Sequence, residues 1–499
     1  MGKYKAIKDI LRGIPFKTGD DLSGLTITRV TSDSRTVGQG DLFIAVRGAA
    51  LDGTKFIQEA CAKGAKAVVA EEDFEAPKGV VKIWVSDTRA AVAAIADNFY
   101  AHPSRKLKVA GVTGTNGKTT ITYLIESIVK ALGGEAGVIG TINYRLKGRI
   151  LPAKNTTPGP LELQSMLAEI VDAKAGYAVM EVSSHSLDQR RVDRVEFDAA
   201  IFTNVTSDHL DYHKTPGAYF KAKARLFDKL KKSGAAILNI DDKKVASLQR
   251  SIKGHVITFG IKGAADVKAV DVRLLMDGTV FTVRTPKWSS EIRTKLIGMH
   301  NVSNILAAIA AGMALKIRKE AIIAGVEALK CVPGRLEAVD MGQPFKVFVD
   351  YAHTEDALFN ILSLLRQVAA KRIVTVFGCG GNRDRTKRPL MGKVACRFSD
   401  HVIITSDNPR FEEPEEIIRE IEHGVRGTFD NYDIVADRKS AIAKALKLAS
   451  HEDIVVIAGK GHEDYQIIKD KVMPFDDREV AMKILHEGQG ARGRGPGKK

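Results

Sequence analysis

No apolar run in this 499-residue sequence approaches the roughly 18 residues that a membrane-spanning helix needs, which excludes a helical membrane protein. Cysteine is scarce. Cys61, Cys331, Cys379 and Cys396 stand apart, with neither paired metal spacing nor the density of a disulfide framework, so reduced structural thiols are expected. The stretch Met1 to Phe16 mixes Lys, Asp and Arg among its apolar residues and lacks the unbroken apolar centre of a secretory signal, so a cytoplasmic location is expected. Aromatic residues make up only 6%, and none alternates with basic residues as a stacking platform for nucleic acid would.

What is present is ordinary for a globular chain: 44% apolar and 27% charged residues. The net charge of +16 raises the class of nucleic-acid binders, since Lys and Arg gain affinity by displacing counterions from phosphates. Part of that excess sits in residues 488–499 (GQGARGRGPGKK), which read as a basic flexible tail, and small anionic substrates also favour positive clefts. Neither nucleic acid nor a membrane is expected as partner, and a monomer is.

The length implies about three domains. Apolar β-branched segments alternate with amphipathic helical ones nearly throughout, which predicts an α/β fold with mainly parallel sheets. Breaks at His102-Pro103-Ser104-Arg105 and Val332-Pro333-Gly334-Arg335 divide the chain into residues 1–101, 102–332 and 333–487, followed by the tail.

The strongest chemical signal is Val109 to Thr120 (VAGVTGTNGKTT) followed by the helix-like ITYLIESIVKAL. In such a strand, loop and helix, Gly114 and Gly117 let backbone N–H groups close around phosphate oxygens, and Thr115, Asn116, Lys118 and Thr120 fall in the same expected nucleotide-binding stretch. Lys118 reaches the terminal phosphates and Thr119 places its hydroxyl on magnesium, so ATP is the favoured ligand. Val112 stands where a strict Walker loop wants Gly, so the match is to a shorter variant. Downstream, Tyr177 to Val182 reads as a buried strand ending in one carboxylate, Glu181, which needs an ion pair or a metal. His209 is taken singly a hydrogen-bonded histidine or a metal ligand. The segment Tyr219 to Phe227 (YFKAKARLF) reads by itself as a basic helix with a solvated face.

The loop, EVSSHS from Glu181, TNVTSDHLDYH from Thr203 and YFKAKARLF occur in this order in the Mur ligase family, which this chain resembles. The likeness continues through Gly298 to Asn304 (GMHNVSN), PGRLE from Pro333 and VDYAHTEDAL from Val349, and covers all but the tail. It implies a UDP-substrate domain, a central P-loop ATPase-like parallel sheet and a carboxyl-terminal Rossmann-like domain that binds an amino acid. It implies that Lys223 is carbamylated, which requires a neutral amine. Thr119 and Glu181 would then bind one magnesium ion, with His209 and modified Lys223 near a second. Lys118, Lys223, His209 and Glu181 are the expected catalytic set, forming an acyl phosphate that an amine attacks. Asn301 and Arg335 match nucleotide-holding positions, and Asp350 a ribose contact.

Within the family, TSDSR from Thr31 resembles the uridine-binding domain, with Ser34 as a diphosphate contact and Thr54 where His is usual. Asn155, Thr156, Thr157, Ser184 and Arg191 resemble a grip on the muramoyl dipeptide. Phe377 to Asp384 (FGCGGNRD) looks like the glycine loop of the third-residue ligases, with Arg383 on the substrate and Asn382 in place of Asp. A dinucleotide site would instead need Gly where Arg383 stands. Asp407-Asn408-Pro409-Arg410 resembles the motif of ligases that add meso-2,6-diaminopimelate. Arg410 can grip that substrate's distal carboxylate bidentately, whereas L-lysine offers only a cation. Gly459 and Glu463, in GKGHED, complete the set, with Glu463 accepting from the distal amine. The resemblance thus implies ATP-dependent joining of meso-diaminopimelate to UDP-N-acetylmuramoyl-L-alanyl-D-glutamate. The alternatives are an L-lysine-adding or folate-glutamylating relative and, from another class, a basic nucleotide-dependent nucleic-acid binder.

Overall fold

The computed structural model describes residues 4–48, 52–206 and 208–492. It is an α/β protein with two compact units. One takes the chain up to Val270 together with Thr282–Ile292 and Ser303–Ala328; the other comprises Asp271–Phe281, Arg293–Val302 and the chain from Leu329 onward. Among the described residues no helix is long and apolar enough to cross a membrane.

Two sheets of the first unit, besides the short antiparallel pair Lys5–Ala6 and Thr26–Ile27, position its site. Val30–Thr31, Leu42–Ile44, Ala67–Ala70 and Val81–Trp84 form a four-stranded parallel sheet. Leu42–Ile44 and Ala67–Ala70 are buried at every position, the signature of a parallel strand covered on both faces. In the larger sheet, Lys108–Thr113 lies between Tyr177–Glu181 and Phe197–Phe202 and runs parallel to both. Val112 pairs with Glu181 and Thr113 with Phe202, so three carboxyl ends emerge at one edge, where open parallel sheets bind their ligands.

In the second unit the strand order is Glu337–Ala338, Lys346–Asp350, Ile454–Ala458, Ile373–Phe377, His401–Ile404 and Tyr432–Ile434, antiparallel only at the first pair. Asp350, Ala458, Phe377 and Ile404 stand in register, which delivers the four following loops to one edge. Beneath them Arg438 and Asp477, both fully buried, pair at 2.6 Å, and Arg438 also donates to the carbonyls of Ala458 and Ser406. Removing one member of such a pair strands a buried charge. Asp477→Ala is therefore expected to cost about 3–5 kcal/mol, read as a lowered denaturation midpoint in urea.

Three expectations are revised. The final helix spans Asp477–Arg492 and so runs past residue 487, where a flexible tail was expected to start. Extending a helix costs little once it is nucleated, even through Gly488 and Gly490. Residues 493–499 lie outside the described residues. Cys61, Cys379 and Cys396 are buried free thiols, but Cys331 is exposed, placed beyond the last buried turn of helix Lys319–Ala328. The helix Pro216–Ala224 does not present all its lysines to solvent, since Lys223 is buried.

Candidate active site

The first site is built at the carboxyl edge of the first unit's larger sheet. The loop after Lys108–Thr113 takes positive φ at Gly114 (+141°) and Gly117 (+91°), then enters the helix Lys118–Ala131. Thr203 and Asn204 brace it from behind. Thr115 N–H donates to the Asn204 carbonyl (2.9 Å), Asn116 N–H to Asn204 Oδ1 (2.9 Å), and Thr203 Oγ1 to the Asn116 carbonyl (2.6 Å). The amino end of an α-helix behind a glycine turn is a ready anion site. Lys118 Nζ lies over this loop, donating to the carbonyls of Gly114 (3.0 Å) and Thr115 (2.9 Å).

Glu181, only 1% exposed, accepts from Thr119 Oγ1 (3.0 Å), Thr141 N–H (2.9 Å) and Thr141 Oγ1 (2.9 Å). These donors are neutral, so none of them supplies a positive charge opposite this buried carboxylate, a place a cation could take. A hydroxyl and a carboxylate beside a phosphate loop are hard oxygen donors of the kind magnesium takes, and the pair fits that ion. Among the described residues no three His, Cys, Asp or Glu side chains cluster as a metal site, so an ion here would rely on phosphate oxygens as well.

Lys223 is 2% exposed; its Nζ donates to the Gly114 carbonyl at 2.8 Å and lies 4.5 Å from the Tyr219 ring centre. Burial pushes its amine well below the ordinary lysine range, Lys118 pushes the same way, and Asp208 opposes them. The neutral amine is the form that reacts with carbon dioxide. His209, half exposed and beside Asp208, stacks edge-on to His185 at 4.8 Å and lies 6.2 Å from Tyr219, so His209 and Lys223 both flank that tyrosine. Tyr219, whose hydroxyl lies 3.3 Å from Thr115 Oγ1, was not among the residues singled out from sequence.

Next to this edge the Asn155–Thr157 segment is tied down. Tyr144 hydroxyl donates to the Asn155 carbonyl (2.7 Å), Thr141 Oγ1 to Thr156 Oγ1 (3.1 Å), and Thr157 Oγ1 to the Glu181 carbonyl (2.9 Å). Arg191 donates to the Thr157 carbonyl (2.9 Å) and to Gln189, and Ser184 Oγ lies 3.0 Å from His213 Nε2. Arg191 also lines a cavity of about 420 Å³ with Ser32, Arg89, Glu162, Gln189 and Tyr212. Ser34 is not part of that lining: it is nearly buried and its hydroxyl donates to Glu59 (2.8 Å). Sequence reasoning therefore passed over Ser32, two residues away in the same motif, and over Arg89, which carries no motif at all.

In the second unit Asp350 is buried and accepts from the N–H groups of Leu336 (2.7 Å) and Ala352 (2.8 Å); burial pushes its carboxyl up and Arg335 opposes this. The Arg335 guanidinium lies 5.0 Å from the Tyr351 ring. Asn301 Nδ2 donates to the Ile297 carbonyl (2.9 Å). Burial and Arg335 push His300 and His462 down to about 4, leaving both imidazoles neutral; neither was singled out from sequence.

The loops after Phe377, Ile404 and Ala458 bring the remaining residues together. Asn408 Nδ2 donates to Glu463 Oε2 (2.8 Å), and Arg410 to the Gly381 carbonyl (2.8 Å). Gly459 has φ +116°, and a side chain there would start 3.6 Å from the Gly378 carbonyl. Burial and the neighbouring Asp407 push Glu463 up, while Lys460 opposes. Arg383 is exposed on the glycine loop. Asn382, at φ +52°, donates its N–H to Glu412 and accepts from Phe411 N–H.

The chain matches the Mur ligase family catalytic domain over residues 26–100, the Mur ligase middle domain over 112–312 and the Mur ligase glutamate ligase domain over 334–461. It is 43% identical over 485 residues to a UDP-N-acetylmuramoyl-L-alanyl-D-glutamate–2,6-diaminopimelate ligase from Caldanaerobacter subterraneus subsp. tengcongensis, covering 96% of this chain and 99% of the relative. An enzyme of the same name from Bacillus cereus is 45% identical over 465 residues, 92% of this chain and 94% of the relative. A solved structure of such a ligase superposes with a TM-score of 0.72 at 32% identity, covering 97% of this chain and 99% of the other. With sequence and fold alike over nearly its whole length, the chain belongs to the Mur ligase family.

Proposed function

We propose that this protein is a cytoplasmic, monomeric ligase that uses ATP to join meso-2,6-diaminopimelate to UDP-N-acetylmuramoyl-L-alanyl-D-glutamate, in the synthesis of peptidoglycan precursors. Neither nucleic acid nor a membrane is its partner. Residues 1–101 bind the uridine end, 102–332 the ATP, and 333–487 the amino acid. The full-length likeness to relatives of that name supports the reaction. The observation that carries the choice of amine is the meeting of Arg410, Asn408 and Glu463 at one sheet edge.

The glycine loop and Lys118 hold the ATP phosphates; Arg335, Asn301 and Asp350 match the nucleotide-binding positions of the family. Thr119 and Glu181 would hold one magnesium ion and carbamylated Lys223 with His209 would lie near a second, and such ions would supply charge neutralisation at the γ-phosphate. Asn155, Thr156, Thr157, Ser184 and Arg191 orient the acidic substrate so that its carboxylate attacks the γ-phosphorus and ADP leaves. Ser34 serves the uridine diphosphate through the loop it braces against Glu59. The amine then attacks the acyl phosphate carbon, and phosphate departs from the tetrahedral intermediate. Arg383, Asp407, Asn408, Arg410, Gly459 and Glu463 present that amine. Most of the rate comes from positioning and fixed charge.

Phosphate release from ATP with the UDP-dipeptide substrate, compared for meso-diaminopimelate, L-lysine and no amine, tests this reading. Turnover is expected to depend on diaminopimelate; preference for lysine would overturn the amine, and amine-independent or absent turnover the reaction. Arg410→Ala is expected to lower kcat/KM for diaminopimelate about 100-fold, mainly through its KM, because a charged partner is left unpaired.

A further inference from the structure

Lys460 is a lysine with no exposed side-chain surface, set inside the amine end of the site. Its Nζ lies 3.4 Å from Asp407 Oδ1, 3.3 Å from Asn408 Oδ1 and 3.5 Å from Glu463 Oε2. Asn408 in turn donates to Glu463, so the two carboxylates, the amide and the ammonium form one connected group. Burying a lysine this completely is costly unless its charge is matched. The surrounding ions match pairwise: Arg438 with Asp477, and Arg335 beside Asp350. Around the buried Lys460 stand Asp407 and Glu463, while Arg410 and the exposed Arg383 lie on the glycine-loop side of the site.

We propose that Lys460 is a specificity-determining residue for the amine substrate, its ammonium balancing Asp407 and Glu463 so that the site favours a side chain ending in no net charge over one ending in a lone cation. This rests on the reading of the site as the diaminopimelate pocket. The distal end of diaminopimelate is a zwitterion, whose carboxylate goes to Arg410 and whose ammonium goes to Glu463, and it leaves the balance of charge unchanged. The end of L-lysine adds one uncompensated positive charge to a site that already holds the buried Lys460 ammonium and the half-buried Arg410 guanidinium. Selectivity then has two sources: the guanidinium that gains a partner, and the built-in ammonium that makes an unaccompanied cation unwelcome.

The test replaces Lys460 by Met and, separately, by Gln, which keeps a donor without the charge. The quantity read is the ratio of kcat/KM for meso-diaminopimelate to that for L-lysine. Both variants are expected to lower that ratio at least tenfold through the amine KM values, with the KM values for ATP and the UDP-dipeptide substrate unchanged. An equal loss for both amines, a change in kcat alone, or retention of the ratio in Lys460→Gln would overturn the proposal, since these mark a structural or hydrogen-bonding role. If neither variant folds, the wild-type protein decides by calorimetric titration with L-lysine and L-norleucine, its uncharged analogue. Binding of L-lysine no tighter than L-norleucine supports the proposal; tenfold tighter lysine binding, or no binding of either, overturns it. Absence of diaminopimelate-dependent phosphate release in the wild type would instead sink the assigned reaction, and the titration would still report on the charge of the pocket.

Discussion

Lys223→Ala is expected to lose about a thousandfold or more of ligase turnover, and added bicarbonate is not expected to restore it. Deleting one fixed charge-stabilising group from an active site costs about 10²- to 10³-fold, and here a whole anionic ligand would vanish. The side chain sits buried against the Gly114 carbonyl, and burial together with Lys118 drives it toward the neutral amine, the form whose lone pair adds to carbon dioxide with loss of a proton. Lys223→Arg separates the alternatives. A guanidinium keeps the positive charge but forms no carbamate, so this variant should be as inactive as the alanine one. Intact-protein mass spectrometry of the wild type under added carbon dioxide should show one carbon dioxide adduct that both variants lack. Wild-type turnover in either variant would end the assignment.

Gly114→Ala should be nearly as damaging for a different reason. A Cβ there would stand 1.8 Å from Thr203 Oγ1 and 3.2 Å from Asn204 N, at φ +141°. Forced backbone and forced packing each cost about 1–3 kcal/mol, so the loop has to move. Thr203 is itself tied to the Asn116 carbonyl and cannot give way without disturbing the loop from the other side. The Gly114 carbonyl accepts from both Lys118 and Lys223, so one displacement misplaces two charges. Turnover is expected to fall about 100-fold or more, with KM for ATP raised, while the protein still unfolds cooperatively at a lower temperature. Gly176→Ala is the control: nothing lies within 4 Å of its Cβ and its φ is not positive, so stability should stay within about 0.5 kcal/mol and turnover should not change. Equal effects of the two substitutions would refute the steric account.

Both predictions turn on residues whose legibility in the sequence differs. Gly114 and Gly117 are readable because a glycine loop between an apolar strand and an amphipathic helix is a local pattern, complete within a dozen neighbouring residues. Glu181 is readable as the one carboxylate closing a buried run. Lys223 is not readable this way: YFKAKARLF has lysines two apart, and nothing local says that Lys221 faces outward and Lys223 inward. Family likeness marked it, and its burial against a carbonyl 109 positions away supplies the physical reason. Ser34 shows the converse, a motif serine turned toward Glu59 while Ser32 lines the cavity.

The sequence by itself determined the α/β class, the phosphate loop and the two glycine-rich turns that follow the later strands, because each depends on the conformational preferences of adjacent residues. Only the tertiary structure decided which charges share a site. Asp407, Lys460 and Glu463 meet because parallel strands in register end at one edge, and the balance among them is set by burial, which no stretch of chain can specify without the sheet that excludes its water.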